Sequence, residues 1–350
     1  MEHKIQLQKR KDDRIIYFDV LRILATIAVI VIHVTAYSWG GISPASYEWN
    51  VLNIYNSIVR WAVPIFVMIS GAIFLDNNKK IDTKKLYTKN ILRIIIAFIF
   101  WSFVYILSIP ETFELVKNEA KSFFETFIVG NYHMWFLYMI AGLYIITPIL
   151  RKITADQKTT EYFLIISFIF TFVIPYLFKT PILLNADKAY DNINLDFGYT
   201  TYYVLGYYLN IKQISCKKRK WIYILSILGF FITILGSTII ANHKMQPFGI
   251  YNALYPNVFL QAVGIFILMK NIKFNFTEKQ SKAIKLLAKY SFGIYLVHDL
   301  VIQKLSGVGL TALTFNTLIS VPSIVIISFV ISLIVSAIIN NIPILKKYIV

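Results

Sequence analysis

Cysteine is almost missing from this chain: Cys216 is the single thiol in 350 residues. No intramolecular disulfide and no cysteine-based zinc site can therefore be built. Acidic residues are also scarce, 18 Asp and Glu against 35 Lys and Arg, and charged residues together make up only 15% of the chain. A soluble domain of this length could not keep its surface wet on so few charges. A cleavable leader is not expected either, because Met1–Arg14 is polar and basic and the apolar stretch after it is too long for one.

Apolar residues fill the gap, with 57% of the chain hydrophobic and 16% aromatic. Runs of about twenty apolar residues recur throughout, each able to cross roughly 30 Å of hydrocarbon. The spans predicted are 15–38, 52–75, 91–109, 133–150, 161–179, 199–211, 221–241, 251–270, 290–305 and 319–340. The sixth and ninth are short, which suits either a broken helix beside a cavity or misplaced ends. The expectation is an all-α, polytopic integral membrane protein of about ten transmembrane helices. Residues 1–14 form an N-terminal segment, 15–340 one membrane domain and 341–350 a tail; no internal repeat is evident.

A formal charge of +17 could suggest nucleic acid, but the charges alternate by loop. Lys4 to Arg14, Lys79 to Arg93, Arg151 to Lys158, Lys212 to Lys220, Lys270 to Lys289 and Lys346 with Lys347 lie on one side. The other side holds Glu48, then Glu111, Glu114, Glu119 and Glu125, then Asp187, Asp191 and Asp196. That is the positive-inside pattern, which places both termini in the cytoplasm and makes the lipid bilayer, not nucleic acid, the partner of the basic loops. The loop 180–198, with Asn185, Asn192 and Asn194 among its acids, suits a hydroxyl-rich partner or simple solvation.

Asp19, Arg22 and His33 interrupt the first span. Charged groups in hydrocarbon cost several kcal/mol unless paired or facing a wet cavity, so they mark a working site or a structural pair. Arg22 and His33 are eleven residues apart, close to three turns, so both point the same way about 16 Å apart along the axis. Asp19 lies a turn below and Thr26 between them, a ladder predicted to wall a cavity. Arg22 offers a permanent fork for a phosphate, carboxylate or thioester carbonyl, Asp19 can hold that fork, and His33 can take a proton or act as a nucleophile.

Weaker signals lie elsewhere. Asn53, Asn56 and Arg60 share a face of the second span, followed by Pro64, Ser70 and Gly71, where packing is the first expectation and Arg60 is either a ligand contact or a structural pair. His133 and Trp135 head the fourth span, where a Trp is by default an interfacial anchor. Ser291, Tyr295 and His298 line one side of the ninth, with Asp299 adjacent.

Four segments in order carry a resemblance: Tyr17-Phe18-Asp19-Val20-Leu21-Arg22 with Val31-Ile32-His33, Val63-Pro64 through Ser70-Gly71, His133-Met134-Trp135-Phe136-Leu137, and Tyr290-Ser291 through Val297-His298. Together they resemble the membrane-bound acyltransferase-3 family over essentially the whole chain. Ile65, where an aromatic is common, and Ala72 depart from its pattern. The resemblance implies acyl transfer, usually acetyl from cytoplasmic acetyl-CoA, to a hydroxyl of an envelope polysaccharide or lipid-linked glycan at a bacterial plasma membrane. Arg22 and His33 match the family's essential pair.

On this reading Asp19, Arg22 and His33 are catalytic, and Arg60, His133, Trp135, Tyr295 and His298 meet the substrate. Lys84, Lys85, Lys89 and Arg93 receive the coenzyme A phosphates. Acetyl-CoA is a co-substrate, no metal is expected, and self-association is left open. The rival reading is a transporter or flippase for a small solute or a lipid-linked sugar.

Overall fold

The computed structural model describes residues 2–79, 81–116, 120–179, 195, 197–243 and 249–349, without the side chains of residues 2–15, 111, 115, 120, 179, 344, 347 and 348. The basic side chains Lys4 to Arg14, Lys80 and Lys347, the acids Glu111 and Glu119, and the polar loop from Asn185 to Asp196 apart from Leu195 thus lie outside the described residues. Among those described there is no strand. Helix is the form expected where no water can satisfy backbone groups.

The main helices are α1 (Glu2–Tyr37), α2 (Tyr47–Ser57), α3 (Ala62–Phe74), α4 (Thr83–Ser108), α5 (Pro110–Val116) and α6 (Ala120–Val129). After a 3-10 turn at Tyr132–Met134 come α7 (Trp135–Ile153), α8 (Gln157–Phe178), α9 (Thr200–Ile211), α10 (Cys216–Asn242), α11 (Pro256–Asn271), α12 (Glu278–Gly307), α13 (Thr317–Asn341) and α14 (Pro343–Tyr348). Among the described residues, seven stretches are long and apolar enough to cross a membrane: Ile16–Tyr37, Tyr47–Phe74, Thr83–Ser108, Tyr132–Ile153, α8, α10 and α13. The chain is an all-α, multi-pass membrane protein.

Three expected spans, 199–211, 251–270 and 290–305, are not among the seven. The twelve residues of α9 reach only about 18 Å, and Tyr202, Tyr203 and Val204 within it are fully buried. A helix enclosed by protein need not match the bilayer. The ninth span is not short: a capping box between Thr277 and Gln280 starts α12 in the basic segment, giving a 30-residue helix. The eighth begins late, because Pro256 opens α11 at its first turn and leaves 249–255 as an irregular approach.

The second span breaks between Ser57 and Ala62. Pro64 has no N–H and its ring crowds the carbonyl of residue 60, which removes one helical hydrogen bond and favours a break at this point. Beyond the break α3 lies backbone to backbone on α9. A Cβ on Gly71 would sit 1.8 Å from the Tyr203 carbonyl oxygen, and one on Gly206 2.0 Å from that of Met68. The two glycines permit the approach, as expected for Gly71 from sequence.

Asn53 ties α2 to α10. Its amide nitrogen donates to Thr238 Oγ1 at 2.9 Å, and its oxygen accepts from Ser57 at 2.9 Å, Ser237 at 2.7 Å and the Tyr251 hydroxyl at 2.7 Å. Asn56 reaches α1 by donating to Thr35 Oγ1 at 2.6 Å. These bonds hold α2 to α10 and to α1.

Candidate active site

A cavity of about 1360 Å³ runs through the bundle. Lys89, Arg93 and Lys346 line it at the basic end, Arg22 and His33 along α1, and Trp135, Tyr199 and Tyr251 at the far end. Arg22 and His33 thus share one lumen, as the helical arithmetic predicted.

Arg22 donates through Nη1 to Asp19 Oδ1 at 3.1 Å, with the Asp19 side chain 10% exposed and that of Arg22 32%. Asp19 acts on the lumen through Arg22, which lines it. Thr26 departs from the expected ladder, because its hydroxyl turns back to donate to the Arg22 carbonyl at 2.8 Å. A hydroxyl in a helix with no nearer partner takes that route.

At the far end three imidazoles meet. The His33 ring centroid lies 5.1 Å from that of His298 and 6.1 Å from that of His133, and the latter two are 5.2 Å apart. His298 Nδ1 donates to the Tyr295 carbonyl at 2.6 Å, since a carbonyl oxygen can only accept. Its Nε2 and both His133 nitrogens are buried with no hydrogen-bond partner among the described residues. Buried polar atoms left in that state are uncommon in structural roles and suit groups awaiting a ligand. Tyr295 positions His133 by donating to its carbonyl at 2.5 Å.

Arg60 occupies the break between α2 and α3. It donates to Asn56, lies with its guanidinium carbon 4.3 Å from the centre of the Tyr251 ring, and lines the cavity. Burial pushes the Tyr251 phenol above its ordinary pKa, with its hydrogen bond to Ser237 and then the Arg60 charge opposing, so it stays a neutral donor to Asn53. Trp135 is exposed at the far end, its ring 5.6 Å from that of Tyr199, and it borders the lumen as well.

The basic end divides the four residues expected to meet phosphates. Lys89 and Arg93 line the cavity, whereas Lys84 and Lys85 are exposed and outside its lining. Lys84 and Lys85 stand in the first turn of α4, further out along its axis than Lys89, beyond the end of the lining. Among the described residues no group of three or more His, Cys, Asp or Glu is arranged to hold a metal ion.

Sequence reasoning missed Tyr132 and gave Asp299 no role, although each stands next to a histidine it did single out. Tyr132 bonds His33 and Asp299 at 2.6 Å each. Tyr199 and Tyr251 each open an expected span, and nothing in their sequence neighbourhood signals the cavity they line.

Comparison with known proteins identifies the family. Curated relatives include proteins from two Staphylococcus aureus strains, each called a probable poly-beta-1,6-N-acetyl-D-glucosamine export protein. They are 24% and 23% identical to this chain over 276 residues, covering 73% of both partners in each case. No solved structure gives a significant match. Residues 15–340 match the family described as an acyltransferase domain. The chain therefore belongs to the acyltransferase-3 family of membrane acyltransferases.

Proposed function

We propose that the protein transfers acetyl from cytoplasmic acetyl-CoA to a hydroxyl of an envelope carbohydrate at a bacterial plasma membrane. The observation that carries this reading is the single cavity joining a basic mouth to a histidine cluster. At about 1360 Å³ it exceeds the roughly 300–1,000 Å³ of ordinary small-molecule pockets, leaving room for a donor arm and an acceptor sugar together. Lys89, Arg93 and Lys346 suit the phosphates of coenzyme A, and Arg22, steadied by Asp19, suits the pantetheine arm or the thioester. The distance of about 16 Å from Arg22 to His33 suits an extended arm.

His33 acts at the thioester, either as general base for the acceptor hydroxyl or as a transient acyl carrier. Trp135, Tyr199 and Tyr251 offer flat faces on which a sugar ring can lie, with Arg60, His133 and Tyr295 around it; His298, expected to meet the substrate, is fully buried outside the lining and stands behind His33 and His133. Ser57-Ile58-Val59-Arg60 and Tyr144-Ile145-Ile146-Thr147-Pro148 resemble the enterobacterial common antigen O-acetyltransferase, which supports a glycan acceptor. Loss of label transfer from acetyl-CoA to glycan in purified His33→Ala protein is the expected result; retained transfer would refute the assignment.

The names of the Staphylococcus aureus relatives favour one second reading, movement of a glycan through the same lumen. Glycan flux into vesicles without consumption of acetyl-CoA would select it.

A further inference from the structure

We propose that Asp299 and Tyr132 are positioning residues that set the tautomer of His33 and steady the charge it gains; this rests on the acyl-transfer reading above. Asp299 is fully buried on α12. Its Oδ2 accepts from Gln303 Nε2 at 2.8 Å and its Oδ1 from the Tyr132 hydroxyl at 2.6 Å. A phenol has one proton, and here the carboxylate holds it. The Tyr132 oxygen can then only accept from His33 Nδ1, 2.6 Å away, so Nδ1 carries the ring proton. Nε2 is left with its lone pair, on a residue that lines the cavity.

The opposite tautomer would require Tyr132 to donate to His33, taking its donor from Oδ1 of a fully buried carboxylate, and Tyr37, which also bonds Asp299, would have to replace it. That loss is costly for a charged group. The other two histidines lack this arrangement. His298 donates to a carbonyl, and His133 Nδ1 stands 3.8 Å from Asp299 Oδ2, beyond hydrogen-bond reach.

In the transfer step His33 Nε2 removes the acceptor hydroxyl proton as that oxygen bonds to the thioester carbonyl carbon. Collapse of the adduct breaks the carbon–sulfur bond, and the coenzyme A thiolate takes the same proton back from Nε2. Between the two events His33 is an imidazolium, and the chain from Nδ1–H through Tyr132 to Asp299 supplies its counter-charge. Tyr37, hydrogen-bonded to Tyr132, Gln303 and Asp299, flanks the chain, while His133, His298 and the Arg60 guanidinium face His33 from the other elements. Of these groups only Asp299 is negative.

The test uses the full chain in lipid nanodiscs for nitrogen NMR and in membrane vesicles with radiolabelled acetyl-CoA for transfer to vesicle glycan. His33 is assigned by comparison with a His33→Gln variant. Wild-type His33 is expected to carry its proton on Nδ1, and Tyr132→Phe and Asp299→Asn to lose that preference. Both variants should lower the maximal rate about 100-fold, in line with loss of general acid–base assistance, and leave the KM for acetyl-CoA unchanged. Tyr132 is exposed, and Phe keeps its ring, so this variant should fold normally. Asp299→Glu should restore part of the rate. A proton on Nε2 in the wild type, or a wild-type maximal rate in Tyr132→Phe, overturns the proposal. The expected tautomer in a protein that transfers no acetyl would instead sink the acyl-transfer reading and leave the relay standing.

Discussion

Gly71→Ala probes the helix contact that backs the cavity. The added Cβ would lie 1.8 Å from the Tyr203 carbonyl oxygen, 2.6 Å from its carbon and 3.0 Å from its Cα. Unstrained contact needs about 3.5 Å, so α3 and α9 must part by about 1.5 Å. Every atom met is backbone, and no rotamer can relieve the clash. Overpacking typically costs about 1–3 kcal/mol, and a backbone clash belongs at the upper end; the better helix propensity of Ala returns about 1 kcal/mol. The net loss is about 2 kcal/mol, which lowers the melting midpoint by several degrees at about 2–4 °C per kcal/mol. Phe66 and Ser70 on the same helix line the cavity, so transfer should fall too. Gly142, in the interior of α7, is the control: nothing lies within 4 Å of its Cβ position, and Ala there should stabilise by about 0.5–1 kcal/mol. Thermal unfolding in detergent reads both. If Gly71→Ala melts at or above Gly142→Ala, the close approach is not as described.

The basic end and one helix cap give two further tests. Lys89→Gln with Arg93→Gln should raise the KM for acetyl-CoA about tenfold and flatten its salt dependence, whereas Lys84→Gln with Lys85→Gln should leave both unchanged; steady-state kinetics at several ionic strengths decides. Asp156 caps α8 by accepting from the Thr159 amide and hydroxyl, each at 2.8 Å, and the amide bond above all holds its carboxyl below the ordinary carboxylate range. A lowered folded-state pKa adds stability above the unfolded value of about 3.9 and loses it as the pH falls through that range. Asp156→Ala should therefore melt below the wild type at neutral pH, and the gap should close as the pH drops below about 4.

How much was legible varied with the range of the physics involved. Apolar runs, alternating loop charge and the eleven-residue step from Arg22 to His33 depend on solvent and on helix geometry, both local. Membrane class, helical fold and the shared face of that pair could be read directly for this reason. Gly71 was legible as a packing position because only a small residue lets helices touch. The length of α12 was not, because its cap lies in a polar segment outside the apolar run.

The site is different in kind. Tyr132 and His33 are 99 residues apart, Tyr132 and Asp299 167, and no periodicity links them. Which lysines reach the lumen depended on where along α4 the cavity ends, and the place of Arg60 on the break beside Pro64. Sequence alone determined the solvent, the helices and the stripe on the first of them, because hydropathy and helical pitch act over a few residues. Tertiary structure decided which distant side chains complete that stripe, because a hydrogen-bond chain exists only where packed helices bring its donors and acceptors within about 3 Å.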